Sequence, residues 1–186
     1  MSVTEWIYNK YSTDEKGLQE SKNFVLIWGL FESQIKSCIG NGNLKTSDFV
    51  SWVQVLEIKK EQNGISIKEP STHKYINTEL IEYINNAFNH FFQKYTNDRD
   101  KFIDHLYNQT DSQTQKAKKE FMDFVKSLNK QNIKDKIIFL FHIARRMRNK
   151  FFHGIKKVGE IISEQKEFEK INRYLVSIIS LIEHFA

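Results

Sequence analysis

The stretch "KDKIIFLFHIARRMRNKFFHG", residues 134–154, decides how the rest of the chain is read. Its first half, "IIFLFHIA" at 137–144, is core-forming. Its second half, "RRMRNKFFHG" at 145–154, packs three arginines, an asparagine, a lysine and a histidine into ten positions. The spacing predicts one helix over 134–153. At about 100° per residue, Arg145, Asn149 and His153 form one stripe. Arg148 stands about 140° away from His153, and Lys150 lies elsewhere on the helix. Phe151 and Phe152 are apolar enough to anchor the helix end. Gly154 then lets the chain leave in a left-handed conformation, which puts His153 at the last helical position.

Working outward, apolar residues at three- and four-residue steps predict further helices. In 18–39 the stripe is Phe24, Ile27, Trp28, Phe31, Ile35 and Cys38, and "GNGN" at 40–43 stops it. Residues 47–61 open on Ser47 or Asp48 as a cap and read as helical. Residues 63–74, "NGISIKEPSTHK", read as a connection with at most a short extended piece. Helices are then predicted over 77–95, 98–108 and 112–129. After the break "GIKKVGE", residues 163–185 give the most regular stripe, from Phe168 through Leu175 and Ile182 to Phe185. No strand ladder is evident, so the expected class is all-α: an up-and-down bundle with short connections, in one domain over 1–186.

The totals agree with a packed core. Of 186 residues, 40% are hydrophobic and 15 are Phe, against a single Pro and 7 Gly. One cysteine, Cys38, excludes an intramolecular disulfide framework. No run reaches about 18 apolar residues, and "MSVTEWIYNK" lacks an apolar signal core. A cytoplasmic protein with no membrane partner is expected. The net charge of +5 is unevenly spread: residues 116–157 hold 13 Lys/Arg and 3 Asp/Glu, leaving 15 basic and 20 acidic residues elsewhere. One strongly basic segment in an otherwise acidic chain fits a polyanionic partner, with nucleic acid the first candidate.

Several chemistries are set aside. His73, His90, His105, His142, His153 and His184 include no H-x3-H pair, and Cys38 has no partner cysteine, so no metal and no cofactor are expected. Neither "HExxH" nor "GKS" occurs. "NQT" at 108–110 matches a glycosylation acceptor, which is idle in a cytoplasmic protein. No serine sits in a strand–turn–helix setting.

The 145–154 segment fits RNA cleavage without a metal. A base must take the 2′-OH proton, an acid must protonate the leaving 5′-oxygen, and positive charge must meet the phosphorane. Histidine titrates near neutrality and suits proton transfer. Arginine keeps its proton and matches phosphate oxygens with its fork. One helix supplies one histidine, so a two-fold pairing of these helix ends would supply the second.

"RNKFFH", Arg148 to His153, resembles the R-x4–6-H signature of the HEPN superfamily in its R-N-x3-H form. The flanks match: an apolar helix leads in, Arg145 stands three residues before the motif, Gly154 follows, and a long apolar helix closes the chain. The likeness is most specific over 134–185 and weaker over 18–39. It implies a four-helix HEPN-like core; the chain departs from a minimal one in length, since residues 41–110 exceed what that core needs and are expected to be an insert or elaboration carrying extra helices. It implies a metal-independent endoribonuclease, acting as a homodimer with a composite site. It further implies a growth-arrest toxin or phage-defence effector, with an antitoxin as a partner. By that resemblance Arg148 and His153 are the catalytic pair and Asn149 orients. Arg145, Arg146, Lys150, Lys156 and Lys157 are the expected substrate contacts, and Glu32 in "GLFESQI" is an accessory residue. The competing reading is a non-catalytic HEPN-like module that binds RNA or a protein, or dimerises, through the same surface. A third is a plain helical interaction domain.

Overall fold

A computed structural model describes residues 1–40, 42–154 and 156–183, with only the backbone described at Val3. His184 and Phe185, which the periodicity places in the final helix, lie outside the described residues, as do Asn41 and Ile155 in the two expected breaks.

The chain is mostly helical. A short helix α1 (Val3–Tyr11), closed by a Ser2–Glu5 capping box, and a 3₁₀ turn at Lys16–Leu18 precede α2 (Gln19–Ile39). α3 (Thr46–Val55) follows, and then α4 (Thr78–Asn97), α5 (Arg99–Tyr107) and α6 (Ser112–Ser127). The motif helix is α7 (Ile133–Phe152), and α8 (Val158–Ser163) leads into α9 (Gln165–Ile182). Asn77, Asp98, Asp111 and Asn132 each accept a backbone N–H two or three residues on, which sets the starts of α4 to α7.

One expectation is corrected. Between α3 and α4 the chain forms an antiparallel sheet of β1 (Glu57–Glu61), β2 (Gly64–Glu69) and β3 (Lys74–Ile76), in that order. The predicted helix 47–61 therefore ends at Val55. Ile58, Ile67 and Ile76 pair across the three strands on one face, and Ile67 and Ile76 are fully buried there. A two-residue turn at Gln62–Asn63 joins β1 to β2 and is followed by Gly64 at φ 145°. Glu and Lys favour a helix in "EIKKE", but antiparallel pairing of all five residues with β2 overrides so weak a preference.

α7 is the central helix. From Ile137 to Ala144 every side chain is buried, His142 included. A helix apolar on all sides must be surrounded, and here it contacts α3, α4, α5, α6 and α9. α9 lies between α2 and α4. An aromatic chain ties the elements together: Phe24, Trp28 and Phe31 of α2 lead to Phe49 of α3, whose ring stacks on Phe141 of α7 at 3.8 Å. Tyr174 of α9 is fully buried and donates its hydroxyl to the Ile137 carbonyl at 3.0 Å. α3 runs antiparallel to α7, since Lys134 reaches the Gln54 carbonyl at one end and Arg145 reaches Thr46 at the other.

No helix among the described residues is long and apolar enough to cross a membrane.

Candidate functional site

The site is built by the way α7 ends. His153 is the helix cap, with φ −89° and ψ 11°, and its N–H donates to the Asn149 carbonyl at 3.1 Å. Gly154 takes φ 65°, the left-handed conformation expected of it, and its N–H reaches the Phe151 carbonyl at 3.3 Å. Lys156 N–H closes on the Lys150 carbonyl at 3.3 Å. Three consecutive orphan carbonyl positions of the last turn thus gain donors. Phe151 packs its ring against Phe24 and Phe168, fixing the helix end to α2 and α9. His153 is left exposed at the tip.

Arg148 and Asn149 lie on the open side. The Arg148 guanidinium donates to Asn149 Oδ1 at 3.3 Å, lies 5.1 Å from the centre of the Phe152 ring and comes within 4.0 Å of Glu32 Oε2. Glu32 is itself held by α2: Trp28 Nε1–H donates to it at 3.1 Å and Lys36 pairs with it at 3.2 Å. Residues 28, 32 and 36 are one helical stripe, so α2 presents a fixed carboxylate to Arg148. The sequence-derived candidate Glu32 and the motif arginine are therefore brought together across 116 positions of sequence.

Arg145 is part-buried and donates to the Thr46 hydroxyl on the first turn of α3. Burial lowers its pKa, and the like charge of Arg148 adds to this while Glu120 and Asp48 oppose it. Guanidinium stays charged under any such shift.

Three of the expected phosphate contacts point inward. Arg146 is 6% exposed, donates to the Leu106 carbonyl and Gln109 Oε1 at 2.6 Å each, and lies over the Tyr107 ring. Lys150 is 3% exposed and donates to the His105 carbonyl. Lys156 is 7% exposed and ion-paired to Glu164. Burial lowers the pKa of all three, Lys156 to about 8. Their N–H groups brace α7 against α5 and the start of α9. Of the three lysines between Asn149 and α8, Lys157 alone is exposed.

His142 is a core residue. Its ring stacks on Phe124 at 5.6 Å, and burial followed by the Arg145 charge pushes its pKa down to about 4, so it is neutral at pH 7. Among the described residues no three His, Cys, Asp or Glu side chains cluster as a metal site would require.

The residues that sequence reasoning did not single out are the partners: Thr46, Leu106, Gln109 and Glu164. Each meets its cation across 8 to 99 positions, and no local pattern announces such pairs. Compared with family models, with curated proteins and with solved structures, the chain gives no match.

Proposed function

We propose that this chain is a metal-independent endoribonuclease of the HEPN type, in which the ends of two α7 helices pair to form one composite site. The observation that supports this best is the division of the cations at the end of α7. Arg146, Lys150 and Lys156 are consumed inside, whereas Arg148 and Asn149, bonded to each other, and the exposed His153 are left open to solvent at the helix end. His153 carries a proton to or from the reacting oxygens. Arg148 stabilises the phosphorane, Asn149 and Glu32 position Arg148, and Arg145 with Lys157 holds flanking phosphates. Phe152, 48% exposed beside Arg148, offers the two copies an apolar contact. A growth-arrest toxin or defence effector, restrained by an antitoxin, is the biological role this chemistry would serve.

A second reading has one specific observation in its favour. Arg148 faces Glu32 and Phe152, about 140° around α7 from His153. A non-catalytic module binding RNA or a partner needs no closer approach. In the endoribonuclease the second copy's histidine fills that gap.

Cleavage of total RNA in EDTA distinguishes the two. Activity should survive the chelator, because the attacking group is the substrate's own 2′-OH. Products should carry 2′,3′-cyclic phosphate ends, and 2′-O-methyl RNA should bind uncut. Uniform 3′-hydroxyl ends would mean that water attacks instead, and the proposed role of His153 would be lost.

Arg148→Ala should lower single-turnover cleavage by about 10²–10³-fold, the effect of removing one donor to developing negative charge. Arg148→Lys should recover only part, because an ammonium cannot reproduce the fork. Full activity in Arg148→Ala would remove this residue from the site.

A further inference from the structure

A cavity of about 430 Å³ opens where α3 meets the ends of α2 and β2. One helix face lines it: Asp48, Ser51, Trp52 and Val55 stand at i, i+3, i+4 and i+7 on α3. Cys38 and Ile39, in the last turn of α2, form a second wall. The turn that leaves β2, from Glu69 to Ser71, forms the third. Such a volume, part apolar and with a few polar groups, is that of a small-molecule site.

The walls carry charge of one sign. Glu69 is 2% exposed. Burial pushes its pKa up, but hydrogen bonds from Ser71, Thr72 and Trp52 outweigh burial and leave it lowered, so it is ionised at pH 7. The Ser71 hydroxyl and the Thr72 N–H both reach Oε2, at 2.6 Å each. Among the described residues Oε1 receives only the Trp52 indole N–H, at 3.4 Å, although a carboxylate oxygen can accept two donors. Asp48 brings a second, half-buried carboxylate. The end of α2 adds to them, because the C-terminus of a 21-residue helix is its negative pole. Burial raises the Cys38 pKa, so its thiol is uncharged. No lysine, arginine or histidine lines the cavity among the described residues. Lys74, opposite Glu69 in the sheet register, and Arg145, which acts on Asp48 from α7 while bonded to Thr46, both lie outside the walls. A buried carboxylate is costly without a positive partner, and here the open space lies where that partner would stand.

We propose that this cavity binds a small organic amine, with its ammonium group between Glu69 and Asp48 and an apolar body on Ile39, Trp52, Val55 and Pro70. Among the described residues Cys38, Asp48 and Glu69 do not cluster as metal ligands would, and the volume far exceeds that of a bare ion. An ammonium suits the indole of Trp52 as well as the carboxylates. The site is independent of the RNA reading, since it uses neither Arg148 nor His153.

Fluorine resonances of 5-fluorotryptophan test this on the whole chain. The sequence has three tryptophans, of which Trp52 lines the cavity, while Trp6 is half exposed on α1 and Trp28 is bonded to Glu32. Phenethylamine at pH 7 should move the Trp52 signal to saturation and leave Trp6 and Trp28 in place. 2-Phenylethanol, with the same ring and chain but no charge, should bind about tenfold more weakly, the loss of one charge-assisted hydrogen bond. 3-Phenylpropionate should not bind. Glu69→Gln, which keeps an acceptor for Ser71 and Thr72, should bring the amine to the level of the alcohol. Asp48→Asn, at a half-buried position where misfolding is not expected, should weaken the amine and leave the alcohol unchanged. The site is overturned if phenethylamine gives no saturable Trp52 shift. The proposed charge is overturned if the alcohol or the propionate binds as tightly as the amine. The placement of the ammonium is overturned if Asp48→Asn, or a folded Glu69→Gln, keeps the parent's full preference.

Discussion

His153→Ala is expected to lower RNA cleavage by about 10²–10⁴-fold, the range over which a positioned acid or base contributes. Its fold and its RNA affinity should stay close to those of the parent. His153 is exposed, and its structural contribution is a backbone N–H to Asn149, which alanine retains. Truncating an exposed side chain opens no cavity. Single-turnover cleavage at saturating enzyme, an RNA-binding titration and a thermal melt separate the three quantities. Loss of cleavage with the other two unchanged is the expected pattern. Cleavage as fast as the parent's would sink the catalytic reading, and "RRMRNKFFHG" would then be a basic helix end on a binding module. A variant that fails to bind RNA at all would place His153 in recognition rather than proton transfer.

How much of this was legible beforehand varies with the distance over which each feature is decided. Helices α2, α4, α5, α6, α7 and α9 follow from local apolar periodicity and capping residues, and their observed spans differ from expectation by a few residues at each end. The left-handed Gly154 and the position of His153 at the cap also follow from neighbouring residues. The short α1 was missed, since nine residues with a capping box carry too little apolar pattern to stand out. The sheet was missed although a signal was present: "ISIK" alternates with period two after Asn63-Gly64. The lead-in "SDFVSWVQVLEIKKE" is dense in apolar residues and in helix formers, so helix and strand were not separable by period. The inward turn of Arg146, Lys150 and Lys156 is another matter. Each is a surface residue by type, and each is buried because acceptors on α5, the α5–α6 loop and Glu164 are waiting. Angular position on α7 hints at it, because Arg146 and Lys150 share the i, i+4 row adjacent to Met147. Which row faces another helix is fixed only by the packing. Charge counted along the sequence therefore overstates the charge offered to a ligand.

Lys156 gives that distinction its sharpest test. As an exposed phosphate contact, its removal would weaken RNA binding and leave stability unchanged. As placed, it is a buried ammonium paired with Glu164 and lying over the Phe168 ring. Lys156→Met should destabilise the fold by about 3–5 kcal/mol, the cost of leaving one member of a buried pair without its partner. Lys156→Met with Glu164→Leu should recover most of this, because replacing both charges with apolar groups removes the desolvation cost along with the attraction. Urea denaturation reads both variants, and a single substitution within about 1 kcal/mol of the parent would contradict the buried pair. The pH dependence gives a second reading with a definite sign. Burial lowers the Lys156 pKa to about 8 from an ordinary 10.5, even though Glu164 is in contact, so desolvation outweighs the ion pair. Between those two values the unfolded chain holds the proton that the folded chain has released. Stability must therefore rise with pH across that window. The parent should show this contribution between about pH 8 and 10.5, and Lys156→Met should lack it. At lower salt, where phosphate contacts dominate affinity, the folded Lys156→Met protein should bind RNA with the parent's salt slope, whereas Lys157→Met should lose about one counterion's worth of it.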